Sequence, residues 1–496
     1  MRLILPLLLL TATVASADLR LPSLFSDHMV MQRDQSNYVW GWSDAGEAVS
    51  VTFDETTIST VASGVGTWYV QIPAAALGAP KKLIIKGSNT ITINDILMGD
   101  VWVCSGQSNM EFTVDRADDA ENEIANAKYP NIRYYGVPLT ATLKKRSDIN
   151  AKWVTTTPEV VAGFSAVGYY FGRTLHEELD VPIGLIGTSW GGTAIESWIS
   201  QDATTLSETY AELNDDWKPI VQEHGELIEK FYDTSIRPRI ELPETKRGVG
   251  GAPNVPSFNY NAMIAPLWRY GIKGAIWYQG ESNAGRAYQY RDLMKTMIRD
   301  WRVQFAQGDF PFFITQLANY TERATEPGRS NWAELREAQL MATDLPNVGM
   351  AVIIDIGDAD DIHPTNKQDV GKRLAQSAFN IAYKQDVLPS GPVYKKMKKG
   401  RKKITLQFDH VGKGLTTANK GKPVGFQIAG KDQKWVWADT AINGKKVTVW
   451  SDSVKKPVAV RYGWANNPDC NLYNLEGLPA TPFRTDDWRI STRNRK

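Results

Sequence analysis

The sequence has little cysteine, almost no net charge and no long apolar run in its body. Two cysteines in 496 residues are too few for the disulfide framework that staples small secreted domains. The 56 basic and 55 acidic residues leave a net charge of +1, so the overall balance gives no reason to expect a nucleic acid or a membrane surface as partner. No stretch reaches the roughly 20 apolar residues that span a bilayer. With 42% hydrophobic residues, the chain is predicted to be globular, with a large core.

Metal-binding patterns are also missing. The five histidines are scattered, and none has a cysteine or a second histidine at ligand spacing; they are His28, His176, His224, His363 and His410. We therefore predict no metal. Cys104 lies in an apolar run and Cys470 in a polar turn, and we predict that both are free thiols.

Residues 1–17 have the pattern of an export signal. Arg2 precedes the apolar run Leu3–Leu10, and small residues at Ala15–Ala17 suit a signal peptidase. The apolar run is too short to span a bilayer. We predict cleavage after Ala17 and a secreted or periplasmic protein.

Hydrophobic periodicity divides the remaining chain into three parts. Residues 18–97 alternate with period two, which indicates a small antiparallel β domain. Residues 98–386 alternate apolar runs with helical patterns, as βαβ units around a parallel sheet require. Residues 387–496 return to short alternating strands and predict a second β domain. Residues 201–256 interrupt the middle part, either as a lid or as a plain insertion.

The elements of the middle part are predicted from the same periodicity. Strands are expected at residues 100–104, 132–135, 182–187, 272–278, 310–317 and 349–354. Helices are expected near residues 162–179, 285–305, 332–344 and 367–383. A parallel sheet binds ligands at the carboxyl ends of its strands, so the residues after each strand are the candidates for function.

One short segment of the last part is strongly basic. Seven of the nine residues from Lys395 to Lys403 are lysine or arginine. Such a run is typical of a polyanion site or of a solvated hairpin beside an edge strand, and we prefer the hairpin because lysines often protect strand edges.

A serine and a histidine follow two of the predicted strands. Ser108 lies in the turn after residues 100–104, next to a predicted helix start, where it serves either as a nucleophile or as a helix cap. Among the five histidines, His363 alone has an acid three residues before it, Asp360. That carboxylate could hold the imidazole as an orienting acid does; the rival orienting acids are Asp355, Asp358 and Asp361.

Two further strand ends carry alternatives. Gly187–Gly191 fits the G-x-S-x-G pattern and makes Ser189 a competing nucleophile, while the same loop could instead present a backbone N–H to an oxyanion. The strand at 272–278 is followed by Gln279 and Asn283, whose amides are candidate oxyanion donors, and by Glu281, a general acid or base or a buried carboxylate.

Four blocks occur in the order of a known enzyme family. They are Gly106–Glu111 (GQSNME), Gly187–Thr193 (GTSWGGT), Trp277–Asn283 (WYQGESN) and Asp360–Pro364 (DDIHP). These blocks, together with residues 21–33 and 471–486, resemble the sialate O-acetylesterase family of the SGNH hydrolases. The resemblance runs through nearly the whole mature chain. It implies an α/β/α sandwich with a central parallel sheet, flanked by N-terminal and C-terminal β-sandwich-like domains.

The resemblance also implies the roles of individual residues. Ser108 would be the nucleophile, His363 the base and Asp360 its orienting acid. The oxyanion hole would consist of the backbone N–H groups of Ser108 and Gly192 and one side chain. Many SGNH enzymes take that side chain from an asparagine in a GxND block. This chain has QGESN there instead, so Gln279 is expected, with Asn283 as the alternative.

The implied activity is the hydrolysis of acetyl esters on a sugar. Ser189 then becomes a neighbour of Gly192. The candidate residues beside the substrate are Asn109, Trp190 and Trp277; the two tryptophans could stack on a sugar ring, but aromatic residues in such positions more often belong to the core, which is the interpretation we prefer. No metal or organic cofactor is needed, and the implied partner is an O-acetylated carbohydrate. Sialic acid and acetylated xylan remain alternative substrates. A non-catalytic carbohydrate-binding protein and an α/β hydrolase that uses Ser189 are the alternative functions.

Overall fold

The computed structural model describes residues 18–232 and 253–495. The predicted export signal and residues 233–252 of the predicted insertion lie outside this range. Among the described residues, no helix combines the length and apolarity needed to cross a bilayer. Cys104 and Cys470 are both free thiols, as predicted.

The N-terminal part is built of short strands with alternating burial. Its strands are β1 (Val30–Gln32), β2 (Asn37–Trp42), β3 (Ala48–Phe53), β4 (Thr56–Val61), β5 (Thr67–Ile72), β6 (Lys81–Lys86) and β7 (Thr90–Gly106). Strand β3 pairs antiparallel with β4 and β6, and β2 pairs antiparallel with β5. Every second residue of β5 is buried, as a strand with one face on the core requires. Strand β1 pairs parallel with β7.

Strand β7 connects the N-terminal part to the centre of the molecule. Its first half pairs with β6 and its second half belongs to the central sheet. The domain boundary predicted at residues 97 and 98 therefore lies inside one continuous strand.

The central sheet contains the parallel strands predicted from the sequence. The strands that follow β7 are β8 (Tyr129–Gly136), β9 (Trp153–Thr156), β10 (Ile183–Ser189), β11 (Gly274–Tyr278), β12 (Phe312–Thr315) and β13 (Val348–Ala351). Their order across the sheet is β13-β12-β11-β7-β10-β8-β9. All neighbours are parallel except the edge strand β9, which the sequence pattern did not indicate.

Helices pack against this sheet and complete the α/β/α sandwich. The α-helices are α1 (Ser108–Glu111), α2 (Ala120–Ala125), α3 (Ala166–Leu179), α4 (Glu208–Tyr232), α5 (Ala287–Phe305), α6 (Asn331–Ala342) and α7 (Lys367–Ile381). Short 3₁₀ turns cover Val114–Arg116, Val161–Gly163, Ile195–Trp198, Gln201–Thr205, Ala265–Leu267 and Glu281–Arg286, and one π turn covers Tyr260–Ile264. Helix α3 packs on α7, and α5 on α6. The fold class predicted from the sequence is confirmed.

Helix α4 belongs to the predicted insertion and is packed on the body of the protein. Its apolar residues Trp217, Ile228 and Tyr232 form a small core with Val255 and Phe258. The ring of Tyr232 lies edge-on to Trp190, with 6.2 Å between the ring centroids. The described half of the insertion therefore reaches the loop that follows β10.

The C-terminal part is a set of small antiparallel sheets, as predicted. Its strands are β14 (Val393–Lys399), β15 (Lys403–Asp409), β16 (Leu415–Thr417), β17 (Phe426–Ala429), β18 (Trp435–Trp437), β19 (Asp439–Asn443), β20 (Lys446–Trp450), β21 (Ala459–Tyr462), β22 (Leu472–Asn474) and β23 (Phe483–Arg484). It has its own hydrophobic core. The fully buried Arg336 of α6 ties it to the middle part by donating to the backbone carbonyls of Ala465 and Asn466.

Candidate active site

Three neighbouring strands of the central sheet end at the same edge. Strand β7 lies between β10 and β11, and Gly106 is in register with both Ser189 and Tyr278. The strand order changes direction at this point, which is where open α/β sheets bind ligands. Gly106 has a φ of 146°, and a Cβ there would stand 2.1 Å from the carbonyl oxygen of Tyr278. Only glycine lets the chain turn so close to β11 and present the next residues to the crevice.

Ser108 begins helix α1 in this crevice. The carbonyl of Gln107 accepts from the backbone N–H groups of Met110 and Glu111, which closes the first turn. Ser108 Oγ lies 2.8 Å from His363 Nε2. The structure therefore brings together two residues 255 positions apart in the chain, in the geometry that a serine nucleophile needs with its base.

All five histidines lie among the described residues, and their contacts show which of them could act as a base for Ser108 or Ser189. A second serine and histidine pair, Ser390 and His410, is joined by a 2.7 Å hydrogen bond in the C-terminal part. Ser390 Oγ also bonds the carbonyl of Gly391, and the pair lies outside the central crevice. No histidine ring makes a hydrogen bond with Ser189 in the described part of the chain.

The carboxylate next to His363 is Asp361 and not Asp360. Asp361 Oδ1 accepts from the backbone N–H of His363 at 2.8 Å and lies 3.3 Å from its Nδ1. Asp360 is exposed and makes no ion pair with His363 in the described residues; its own N–H is bonded to Asp358. Asp355 is held by Arg373. The physical reason is local: the tight turn that caps the His363 amide folds the Asp361 side chain back against the imidazole.

The environment of His363 favours its neutral form. Partial burial and the positive charges of Lys367 and Arg116 lower the pKa of His363, and Asp361 opposes them, with a net shift below the usual value. A neutral imidazole is the form that accepts a proton from a serine hydroxyl. The lowered pKa therefore favours the neutral form of His363.

The loop after β10 runs past Ser108. A Cβ on Gly191 would stand 3.2 Å from Ser108 Cβ. The Gly191 N–H donates to the Glu111 carboxylate, and the Trp190 N–H donates to the Gly106 carbonyl at 3.1 Å. Gly192 follows with a φ of 75°, the left-handed region that favours glycine. These contacts hold Trp190 and Gly191 against the start of α1, and Gly192 is the next residue of the same loop.

The side-chain amides of Gln279 and Asn283, the candidate oxyanion donors, are engaged in hydrogen bonds within the protein. Gln279 is fully buried and its amide nitrogen donates to the Thr193 carbonyl at 3.1 Å and to Asn283 Oδ1 at 2.7 Å. Asn283 Oδ1 also accepts from the Ile195 N–H, and its amide nitrogen donates to Glu196 at 2.9 Å. Both side chains therefore fix the position of the segment that follows Gly192.

A buried polar cluster lies directly behind Ser108 and His363. It consists of Asn109, Glu281 and Lys367, which we call the support cluster. The Asn109 amide nitrogen donates to Glu281 Oε1 at 2.7 Å and to the Ile362 carbonyl at 3.0 Å, while its oxygen accepts from Lys367 Nζ at 2.5 Å. Asn109 follows Ser108 and Ile362 precedes His363, so this one amide ties both candidate catalytic residues together.

Burial works against the charges of the support cluster. Burial raises the pKa of Glu281 and lowers the pKa of Lys367 to about 7. The opposite charge of each group reduces the pKa shift of the other. Glu281 Oε2 is buried without a hydrogen-bond partner among the described atoms. Lys367 Nζ also lies 4.6 Å from the centroid of the Phe112 ring. A buried carboxylate is thus confirmed for Glu281, one of its two sequence-based interpretations.

Two of the three residues expected beside the substrate are in the interior. Trp277 is fully buried between Trp198 and Trp301, with 6.0 Å between ring centroids on each side. It is a core residue because β11 lies in the middle of the sheet. Asn109 is 1% exposed and is engaged in the support cluster. Trp190 is partly exposed and is the one of the three that can face a ligand.

Three residues that shape this site have no role predicted from the sequence, and a fourth is predicted only as an alternative. The three are Lys367, Glu111 and Arg116, and the fourth is Asp361. Glu111 is in the first motif, one turn after Ser108, so its spacing was a usable signal. Nothing in the local pattern distinguishes Lys367 from other lysines at the start of a helix.

Comparisons with known proteins find carbohydrate acetylesterases. A family model described as a carbohydrate esterase, sialic acid-specific acetylesterase, matches residues 98–228 and 253–380. The sialate O-acetylesterase of Homo sapiens is 31% identical over 529 residues, which cover 97% of this chain and 95% of the human protein. The sialate O-acetylesterase of Mus musculus is 31% identical and covers 95% of this chain and 94% of its own length.

A solved structure is similar over the whole fold. The crystal structure of a carbohydrate acetylesterase from Xanthomonas citri superposes with a TM-score of 0.82 at 38% sequence identity. The match covers 95% of this chain and all of the other. The similarity therefore includes the flanking β regions as well as the central sandwich.

Proposed function

This chain belongs to the carbohydrate esterase family of sialic acid-specific acetylesterases, and from that membership we propose that it hydrolyses O-acetyl esters of sialic acid through an acetyl-Ser108 intermediate. It is a carboxylic-ester hydrolase. The observation that carries the mechanism is the 2.8 Å contact between Ser108 Oγ and His363 Nε2 at the carboxyl end of the central strand.

The proposed reaction is an acyl transfer in two halves. His363 takes the proton of Ser108 as its oxygen attacks the acetyl carbonyl, and the backbone N–H groups of Ser108 and Gly192 stabilise the oxyanion. The sugar hydroxyl leaves with the proton from His363. Water then attacks the acetyl-enzyme with His363 as base, releasing acetate and restoring Ser108.

One exposed cation supports sialic acid over a neutral sugar. Arg116 lies on the 3₁₀ turn after α1, and its charge is close enough to His363 to lower that pKa. It stacks on Phe112 at 4.3 Å and its charge also acts to lower the pKa of Glu111, which burial raises, although no carboxylate of the described residues lies within ion-pair distance of it. Sialic acid carries a carboxylate that such a guanidinium recognises, whereas the xylose units of acetylated xylan carry none.

The first prediction concerns substrate choice. Acetate release should be faster, as kcat/KM, from O-acetylated sialic acid than from acetylated xylan. Measured above the acid limb of the pH profile, where the effect of Arg116 on the His363 pKa no longer changes the rate, Arg116→Gln should lower kcat/KM for the sialic acid ester by up to about fivefold, the upper value for an exposed ion pair. It should leave the xylan rate unchanged there. The matched control is Arg146→Gln, an exposed arginine outside the crevice. If the wild type prefers acetylated xylan, then xylan and not sialic acid is the substrate, and the proposal is wrong on this point.

The second prediction concerns the orienting carboxylate, for which we propose Asp361. Asp361→Asn should lower kcat by about 10²-fold, less than a buried triad acid loses, because its side chain is 61% exposed. Asp360→Asn is the matched control and should keep most of its activity. The reverse result would return the role to Asp360, as the motif resemblance implies.

The non-catalytic alternative requires a degenerate site. The intact contact between Ser108 and His363 and the supported oxyanion loop are features that a binding protein would not need. The absence of acetate release from every ester tested would favour that alternative.

A further inference from the structure

The near-zero net charge of the chain hides a strong separation of charge. Residues 387–496 contain 22 lysines and arginines against 8 aspartates and glutamates, a net charge of +14. The other residues contain 34 against 47, a net charge of −13, which together give the +1 of the whole chain. Such asymmetry between parts of a protein points to an anionic partner for the basic part.

Four of these positive charges lie on one face of one sheet. The strand order is β14-β15-β20-β19, all antiparallel. Ile404, Leu406, Val447 and Val449 are buried on the inner side. Side chains alternate along a strand, so the residues between them share the outer side. We call the set Lys396, Lys398, Lys403 and Lys446 the basic face.

The register shows how the basic face is arranged. Lys396 and Lys446 lie on either side of Gln407, and Lys398 is opposite Thr405. Lys403 is opposite Trp450. No lysine of the basic face makes an ion pair with a carboxylate of the described residues. Two carboxylates share this outer side, Asp439 opposite Trp450 and Asp409, which forms an ion pair with Lys395. The lysines still outnumber them, like charges repel one another, and a bound polyanion would remove that cost.

Edge protection does not explain the basic face. Lysines on an edge strand prevent pairing with another chain, and β14 is an edge strand. However, Lys403 and Lys446 lie on β15 and β20, the two central strands of this sheet. Both sides of each central strand are already paired, so a lysine there has no edge to protect. Protection of an edge strand by a solvated hairpin therefore explains the lysines of β14 but not those of β15 and β20.

A cleft adjoins the basic face. Its volume is about 550 Å³, and its lining includes Lys402, Lys403, Lys455, Asn443, Thr448 and Trp450. Asp452 is the one acidic residue of the lining. An indole packs against the apolar face of a sugar ring, while amide and hydroxyl side chains bond its hydroxyl groups. Ammonium groups pair with carboxylates along a chain.

We propose that the basic face and this cleft bind an acidic polysaccharide, one whose sugar units carry carboxylates. Membership of a carbohydrate esterase family favours a glycan over a nucleic acid as the polyanion. This binding uses neither Ser108 nor His363, so it goes beyond the proposed function and can fail or hold independently of it. Its consequence is attachment of the enzyme to acidic glycans while the crevice acts on acetyl groups.

Binding of polygalacturonate to the full chain tests this proposal. Polygalacturonate has a carboxylate on every unit and no acetyl group, so catalysis does not interfere; unsubstituted xylan is the neutral comparison. Calorimetry at low salt should show polygalacturonate binding at least about tenfold tighter than xylan, with an affinity that falls as salt rises. Equal binding of both polymers would overturn the proposal.

Variants locate the site. Lys403→Glu with Lys446→Glu should weaken polygalacturonate binding by about tenfold or more, whereas the exposed pair Lys128→Glu with Lys372→Glu in the middle part should not. Trp450→Ala should weaken binding without changing its salt dependence, as expected for loss of stacking. All variants should hydrolyse a small chromogenic acetyl ester like the wild type, which separates this proposal from the esterase mechanism.

Two results would reject the site. Unchanged binding by the Lys403→Glu, Lys446→Glu double variant would show that the charges are not used. Duplex DNA that binds as tightly as polygalacturonate, with no loss in Trp450→Ala, would make this an unspecific polyanion surface.

Discussion

Ser108→Ala is expected to lower acetate release by about 10⁵-fold or more, because the loss of a serine nucleophile leaves only the residual help of the oxyanion site. The reason is the contact of Ser108 Oγ with His363 Nε2 at 2.8 Å. The measurement is turnover of a chromogenic acetyl ester and of O-acetylated sialic acid. Rapid-quench mass spectrometry should find the acetyl group on Ser108 in the wild type and not in the variant.

Ser189→Ala is the matched control. Ser189 ends strand β10 in register with Gly106, so it lies next to the site, and no histidine of the described chain bonds it. Its variant should keep most of the activity. An inactive Ser189→Ala beside an active Ser108→Ala would establish the G-x-S-x-G mechanism instead. Thermal unfolding of both variants shows whether either has merely failed to fold.

Lys367→Met is expected to damage stability and catalysis together. It leaves the buried Glu281 without a cation and Asn109 Oδ1 without its donor, so the free energy of unfolding should fall by about 3 kcal/mol. The Asn109 amide then no longer holds the Ile362 carbonyl firmly, and kcat should fall by about 10-fold to 100-fold, as expected for a misplaced base. Denaturant unfolding and steady-state kinetics measure the two effects.

The pH profile separates positioning from simple packing. The positive charge of Lys367 lowers the pKa of His363, together with burial and Arg116, while Asp361 raises it. His363 must be neutral to accept the Ser108 proton, so activity rises as pH rises through that pKa. Removal of the Lys367 charge should therefore move the acid limb of kcat/KM to higher pH.

Two variants control this experiment. Lys372→Met removes an exposed lysine from the same helix and should change nothing. Adding Glu281→Gln to Lys367→Met removes the carboxylate that lost its cation and should restore part of the stability. If the acid limb of Lys367→Met does not shift, the charge of Lys367 does not influence His363, and the support cluster contributes packing alone.

Much of the site was predictable because parallel strands end at one edge of a sheet. Period-two and helical patterns located the strands that became β7, β10, β11 and β13. Three motifs meet the ends of β7, β10 and β11 directly, whereas Asp360–Pro364 begins nine residues after β13. Because the carboxyl ends of parallel strands lie at one edge of a sheet, Ser108, His363 and the Gly192 loop could be grouped from the pattern. The resemblance to the family, carried by the same motifs, is confirmed by the family model and by the relatives.

The details within that group could not be read from spacing. Asp360 has the expected distance in sequence from His363, yet the backbone turn directs Asp361 to the imidazole. Gln279 follows β11 as expected, but Thr193 and Asn283 engage its amide. Trp277 follows the preferred interpretation as a core residue, because Trp198 and Trp301 enclose it.

Sequence pattern therefore settles which segments reach the crevice, since strand periodicity and chain direction are local properties. Tertiary structure decides the remaining features. These are the carboxylate that contacts His363, the amides that are already hydrogen-bonded, and the lysine that is buried behind Ser108. Asn109 and Lys367 are 258 positions apart, and a hydrogen bond forms only within a few tenths of an ångström of its ideal length. Such contacts are decided by how whole elements pack, because no local pattern carries that precision.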